Sequence, residues 1–282
     1  MTFLKKILPG FILSLARKVR TTFFDFIDKR KPYLNKIKYE GFDLYYARGE
    51  GLVNRIRFGN PDRLYERNVV LELVKILSKF EQPVLLDVGA NIGLISLAVL
   101  RRIPNVTIHA FEPGPHQQQL FATTIFANQL EDSIVLNDVA ISDRNGVINF
   151  QVHDYKSSSG DGILDTQRAG NTKAVPVETV TLDNWWVKNN HPRINVVKID
   201  VEGGELLVLR GMQDLINKCR PDIVLEISSL NISVYPYQPQ EYLIYFQLIR
   251  YDLFTLGGQR CTNENFVEII KSEDTFVAKP IL

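Results

Sequence analysis

Val84-Leu-Leu-Asp-Val-Gly-Ala-Asn-Ile-Gly93 begins as an apolar run and ends in two glycines. Val84, Leu85, Leu86 and Val88 show no polar alternation, as expected of a parallel strand buried on both faces. Gly89 and Gly93 bracket a tight turn where backbone can come close to a ligand. Ile92, Leu94, Ile95, Leu97, Ala98 and Leu100 continue as a largely apolar helix. Strand, glycine turn and helix, in that order, form the nucleotide-cofactor unit of a doubly wound α/β fold.

The glycine spacing narrows the cofactor. A nicotinamide or flavin fingerprint reads G-x-G-x-x-G, but the residue two after Gly89 is Asn91. The pattern here is D-x-G-x-x-x-G, with Asp87 at the strand end. It resembles the first motif of class I methyltransferases, which bind S-adenosylmethionine. That resemblance implies a cofactor cradle from Asp87, Gly89, Ala90, Asn91 and Gly93, with the Asp87 carboxylate meeting the cofactor's amino group. A strained turn or helix cap with no ligand is the plainer reading of the same residues.

Composition sets the outer bounds. The 282 residues are 45% hydrophobic and 23% charged, with a formal net charge of +1. This is ordinary globular composition with no nucleic-acid footprint. The only cysteines are Cys219 and Cys261, so no paired-cysteine metal spacing or disulfide framework is expected. A reducing, cytoplasmic setting fits. Near the N-terminus, Phe3, Ile7, Phe11 and Leu15 recur at helical spacing among Lys5, Lys6, Arg17, Lys18 and Arg20. The uncharged run from Ile7 to Ala16 is too short to span a bilayer. Residues 1–30 therefore read either as a helix docked on the main domain or on a homo-oligomer partner, or as a basic amphipathic helix at a membrane surface. The expected division is an N-terminal helical or irregular appendage over residues 1–59 and an α/β domain over residues 60–282.

Taken in order, Lys36 to Phe58 reads as short strands or a hairpin. Asn60-Pro61 can start the next helix, with Tyr65 and Glu66 in its first turn. Val106 to Phe111 forms the second strand of the unit, ending in Phe111-Glu112-Pro113. An acidic residue at that tip is where a cofactor ribose presents two hydroxyls, and a carboxylate can accept from both. After a third strand, Asn137 to Asp143 passes where an adenine would rest; Asp138 or Ser142 can reach its amine, or the backbone near Ala140 can. His153 to Ala174 is long and polar, either a flexible insertion or a lid. In Trp185-Trp186, one ring is expected in the core and the other is free to stack on a sugar.

Val196-Val-Lys-Ile-Asp-Val-Glu-Gly-Gly-Glu205 is the second dense stretch. It reads as a strand ending in Asp200, two glycines, and a helix over residues 206–218. Strand tips at the carboxyl edge of an open sheet carry the chemistry. Helix-start acidity explains Glu205 well and Asp200 poorly.

Asp87–Gly93, Phe111–Pro113, Ala140-Ile-Ser-Asp143, Thr181-Leu-Asp183 and Lys198–Glu205 together resemble the FkbM family of S-adenosylmethionine-dependent methyltransferases. The likeness runs from about Tyr65 to Pro280. One departure is Gly204, where the family more usually has alanine. The resemblance implies a Rossmann-like class I methyltransferase fold, with a seven-stranded, mostly parallel sheet and helices on both faces. It also implies O-methylation, often of a saccharide hydroxyl on a glycan, glycolipid or natural product. A non-catalytic glycan- or protein-binding module on this fold is the alternative.

Asp200 is the expected base or acceptor anchor. Glu202 and Glu205 stand beside it, Lys198 pairs with a carboxylate, and Glu66, Glu226, Tyr235 and Tyr237 lie where the acceptor should bind. Asp200, Glu202 and Glu226 can alternatively be read as an all-oxygen Mg²⁺ site, but no histidine stands at metal spacing, so no metal is assigned.

Overall fold

The computed structural model describes residues 34–47, 52–53, 56, 64–153, 160–165 and 172–281. The expected N-terminal helix over residues 1–30, with its membrane or partner contact, lies outside the described residues, as do Asn60 and Pro61. The described chain begins with an antiparallel hairpin, β1 (Leu34–Tyr39) and β2 (Phe42–Ala47). Its turn residues, Glu40 and Gly41, both have positive φ, as a two-residue hairpin turn requires.

There follow α1 (Arg67–Leu77), β3 (Val84–Val88), α2 (Leu94–Arg102), β4 (Thr107–Phe111), α3 (Pro115–Asn128), β5 (Ile134–Asn137), β6 (Ala140–Ile141), β7 (Gly146–His153) and β8 (Thr172–Val180). The second half holds α4 (Leu182–Lys188), β9 (Val196–Ile199), α5 (Glu205–Arg210), α6 (Gln213–Cys219), β10 (Asp222–Glu226), α7 (Ser229–Ile232), α8 (Gln240–Leu248), β11 (Tyr251–Thr255), α9 (Phe266–Ile269) and β12 (Thr275–Pro280).

Among the described residues, seven strands form the main sheet in the order β11-β12-β10-β9-β3-β4-β5. The pairs β3/β4, β4/β5, β3/β9 and β9/β10 are parallel, and only β12 runs against its neighbours. From β3 the chain winds outward through β4 and β5, then returns to fill the other side from β9. The β3/β9 junction is thus a topological switch point, and a crevice opens at the carboxyl ends of its strands.

Alternate residues of each strand feed two cores, because strand side chains alternate faces. Leu85, Val196, Val224 and Val277 pack with α1, α2 and α3. Leu86, Val197, Ile199, Ile223 and Leu225 pack with α4, α5, α6 and α8. Every residue of α2 from Leu94 to Leu100 is buried, so this helix is sandwiched rather than amphipathic.

Three local expectations change. The helix expected over residues 206–218 is two helices, broken where a Cβ on Gly211 would stand 2.1 Å from the Ser142 carbonyl oxygen. Helix α1 starts at Arg67, with Glu66 as its N-cap rather than a first-turn residue. Both tryptophans are buried. The Trp185 indole donates to Asn137 Oδ1 (3.2 Å), and that of Trp186 donates to the Pro192 carbonyl (2.8 Å). Neither ring is free to stack on a sugar.

The β1–β2 hairpin is fixed to α3. Asp43 N donates to Asn128 Oδ1 (2.8 Å), Asn128 Nδ2 donates back to the Asp43 carbonyl (2.8 Å), and Tyr45 N donates to Thr124 Oγ1 (3.0 Å). Leu44 and Tyr46 join the same core as α3. Asn128→Ala should orphan both Asp43 backbone groups and cost ~1–3 kcal/mol. Urea unfolding checks this: the midpoint should fall with little change in slope.

Candidate functional site

A cavity of ≈ 280 Å³ opens at the carboxyl ends of β3, β4, β9 and β10, near the low end for ligand pockets at ~300–1,000 Å³. One wall is the turn Gly89-Ala90-Asn91 with Glu112 and Pro113. An apolar side is made by Phe111, Val139, Ile141 and Phe150. The other wall holds Lys198, Asp200, Glu202, Glu226, Glu66 and Asp274.

The two dense sequence motifs meet at Gly89. Its φ is +79°, and a Cβ there would stand 1.7 Å from the Asp200 carbonyl oxygen. The glycine is needed for the close approach of the chain at the end of β9, and it also lines the cavity. Asp200 N also donates to the Val88 carbonyl (3.0 Å). Gly93 plays a similar part against Phe121, whose ring carbon would lie 2.1 Å from a Cβ.

Asp87 is fully buried and is not part of the cavity wall. Its Oδ2 accepts from Ser96 Oγ (2.6 Å), and its Oδ1 lies 3.5 Å from Lys198 Nζ. Lys198 Nζ also donates to the Gly89 carbonyl (3.1 Å) and to Asp200 Oδ2 (3.3 Å). Burial alone would lower its pKa, but Asp200, Asp87 and Glu66 together hold it above the ordinary lysine value. It is a permanent cation.

Glu112 does reach the wall. Its Oε2 accepts from Asn91 N (2.8 Å) and its Oε1 from Gly114 N (2.7 Å). Burial pushes its pKa up to about 7 despite these bonds. Each oxygen keeps a further lone pair, which a bound hydroxyl can use. Val139, Ala140 and Ile141 line the neighbouring side, whereas exposed Asp138 and buried Ser142 do not.

Elsewhere in the wall, burial raises Glu226 far above the usual carboxylate range, and adjacent Asp200 reinforces the shift by charge and by a shared hydrogen bond. The two carboxyl groups are thus close neighbours in the cavity wall. Burial and Asp200 likewise raise Glu66. Glu202 Oε2 accepts from Asn231 Nδ2 (2.9 Å).

Glu205, Tyr235 and Tyr237 fall outside the cavity wall. Glu205 Oε1 accepts from Val201 N and Gly203 N (both 3.0 Å), and Tyr242 donates to its Oε2 (3.2 Å). Burial lifts Glu205 to about 7. Tyr237 donates to the Gly203 carbonyl, and the Tyr235 ring would meet a Cβ on Gly203 at 2.7 Å. These three side chains hold the Val201–Gly204 loop from behind.

Glu66, Asn91 and Glu202 line the cavity with positive φ (43°, 51° and 56°). Such conformations cost ~1–3 kcal/mol each and persist where surrounding structure enforces them, commonly at functional sites. Ser96, Asp161 and Asp274 were missed in the sequence. Ser96 was legible as the polar residue in an apolar helix; Asp161 and Asp274 belong to no motif. Among the described residues, no group of three or more His, Cys, Asp or Glu is arranged to hold a metal ion, and no helix is long and apolar enough to cross a membrane.

Comparison with known proteins places the chain in a family. A family model described as the methyltransferase FkbM domain matches residues 87–251. The 2-O-methyltransferase NoeI of Sinorhizobium fredii is 29% identical over 166 residues, 53% of this chain and 65% of NoeI. The hexuronic acid methyltransferase AglP of Haloferax volcanii is 28% identical over 132 residues, 47% of this chain and 51% of AglP. The chain thus spans 51% to 65% of the length of these two curated relatives. Among solved structures, methyltransferase FkbM from Methylobacillus flagellatus aligns at a TM-score of 0.44 and 13% identity, covering 75% of this chain and 52% of that one.

The Gly89 contact yields a test. Gly89→Ala must both force a side chain into the left-handed region and push β9 away. It should cost more than about 4 kcal/mol, seen as a large drop in unfolding midpoint.

Proposed function

The chain belongs to the FkbM methyltransferase family, and from that premise we propose that it is an S-adenosylmethionine-dependent O-methyltransferase acting on a hydroxyl of a saccharide, borne by a glycan, glycolipid or natural product. The observation that carries this reading is one cavity lined by two chemically different sets of groups. Glu112 and the Gly89–Asn91 turn form one set, and Asp200 and Glu226 form the other. The name of AglP, a hexuronic acid methyltransferase, supports a saccharide acceptor, and that of NoeI, a 2-O-methyltransferase, supports transfer to oxygen.

The cofactor end suits an adenosyl group. A buried carboxylate faces the cavity beside turn amides, and Phe111, Val139, Ile141 and Phe150 offer an apolar seat for a base. Glu112 would accept from the ribose hydroxyls. Asp87 would support this end from beneath, through Lys198 and Ser96. When bound, S-adenosylmethionine supplies a methyl group already activated by its sulfonium.

The chain's own residues align and deprotonate the acceptor. Lys198 holds Asp200 as a carboxylate, and Glu226 donates to it. Because two adjacent carboxylates cannot both ionise cheaply, the pair rests with one proton and takes a second from the acceptor hydroxyl. Glu202, Glu66 and Asp274 would accept from the acceptor's remaining hydroxyls. Alignment of this kind can contribute ~7–11 kcal/mol. A catalytically silent binding module is disfavoured, because such a module has no use for a buried carboxyl pair beside a fixed lysine.

Two measurements test the proposal. Asp200→Asn should reduce methyl transfer from labelled S-adenosylmethionine to a cell-extract acceptor by ~10²–10⁴-fold, while leaving S-adenosylhomocysteine affinity within a few-fold. Unchanged transfer would remove Asp200 from the mechanism. Calorimetry against pH addresses the other end. Hydroxyls donate to the ionised form of Glu112, so below about 7 a proton must leave before the ligand binds. Affinity for S-adenosylhomocysteine should rise with pH and level off above that value, falling roughly tenfold by one unit below it. Glu112→Gln should bind more weakly and lose the dependence. Failure of the wild-type protein to bind this ligand at any pH would overturn the cofactor assignment.

A further inference from the structure

The polar segment after β7 returns to the cavity. Gly162 pairs with Gln151 on β7 through two backbone hydrogen bonds (2.8 and 3.1 Å), and this pairing sets Asp161 in the cavity wall. Asp161 is strongly held. Its Oδ1 accepts from the His153 backbone N (2.7 Å) and lies 3.1 Å from His153 Nδ1, while its Oδ2 accepts from Gln117 Nε2 (2.7 Å). His153 and Gln117 are both buried, and each keeps one polar atom, His153 Nε2 and Gln117 Oε1, without a hydrogen-bond partner among the described residues. A surface loop would not need two buried side chains to aim one carboxylate.

The same framework ties Asp161 to the cofactor end. Gln117 lies in the first turn of α3, which starts just after Glu112. Around Gly114, a Cβ would stand 2.6 Å from Gln117 Oε1 and 2.8 Å from Glu112 Oε1. Glu112 and the side chain that orients Asp161 therefore share one narrow place. The Asp161 charge adds to the upward shift on Glu112, which agrees with two carboxylates facing a common space.

We propose that Asp161 is a second ribose-binding carboxylate, so that Glu112 and Asp161 divide the two hydroxyls of a vicinal diol between them, with His153 and Gln117 as positioning residues. This inference rests on the S-adenosylmethionine reading. A ligand diol has two donors, and two neighbouring carboxylates have acceptors to spare. Placing a donor between them also relieves their mutual repulsion, which a single carboxylate cannot gain. Gln117 makes the site tolerant of test substitutions, since its amide can turn to donate or accept.

The test is calorimetry with S-adenosylhomocysteine and with its 2′-deoxy and 3′-deoxy forms. Asp161→Asn should bind the parent ligand ~10-fold more weakly. It should also lose the penalty for one of the two deoxy forms while keeping the penalty for the other. A purely structural role for Asp161 would weaken all three ligands alike. Thermal unfolding reports whether the variant folds; if it does not, Gln117→Leu, which leaves the carboxylate but removes the partner of its Oδ2, should show the same selective loss at reduced size. Wild-type affinity in Asp161→Asn, or equal weakening of all three ligands, overturns the proposal. No binding of the parent ligand by the wild-type protein would instead overturn the cofactor reading beneath it.

Discussion

The ammonium of Lys198 ties the end of β3 to the end of β9. It lies 3.1 Å from the Gly89 carbonyl, 3.3 Å from Asp200 and 3.5 Å from Asp87. A buried cation is tolerated only with close opposite charge, so these partners cannot move independently. The fold brings them together because β3 and β9 are parallel neighbours at the switch point. The turn after β3 and the loop after β9 then interlock, with Gly89 against the Asp200 carbonyl. The cavity is the space this interlock leaves open.

Around that fixed charge, burial sorts the carboxylates by role. Glu112 and Glu205 are both lifted to about 7 while accepting two backbone N–H bonds each. One faces the cavity and the other shapes a loop from behind. Asp200 stands beside Lys198, and burial with the Asp200 charge raises neighbouring Glu226 far above the usual carboxylate range. Similar side chains thus differ in function through which neighbours they have and whether the cavity reaches them.

Much of this was legible along the chain. Val84, Leu85, Leu86 and Val88, with no polar alternation, implied a doubly buried central strand, and the two acidic strand ends implied where ligands meet the sheet. The pairing of Lys198 with carboxylates was also readable. What was not readable is orientation. Glu205 and Asp87 sit in motifs yet are buried behind the wall, because helix start and strand pleat decide which way a side chain turns. Tyr235 and Tyr237 looked like acceptor contacts but are packed beneath Gly203. Asp161 and Asp274 arrive from segments far along the chain, and no spacing rule links them to Glu112 or Glu226.

Two parts of the cavity wall are built from different material. The part of the wall that carries Glu112 grows directly from β3 and β4, where turn amides, Glu112 and a sandwiched helix lock one another in place. The other part includes Glu66, the N-cap of α1, and Asp274, which stands just before the antiparallel strand β12 and accepts from Ile227 N through its backbone. Exchange of side chains at these peripheral positions disturbs few hydrogen bonds of the central sheet. Under the proposed function, substitutions there would alter acceptor choice without unsettling the turn after β3, a modularity set by strand order.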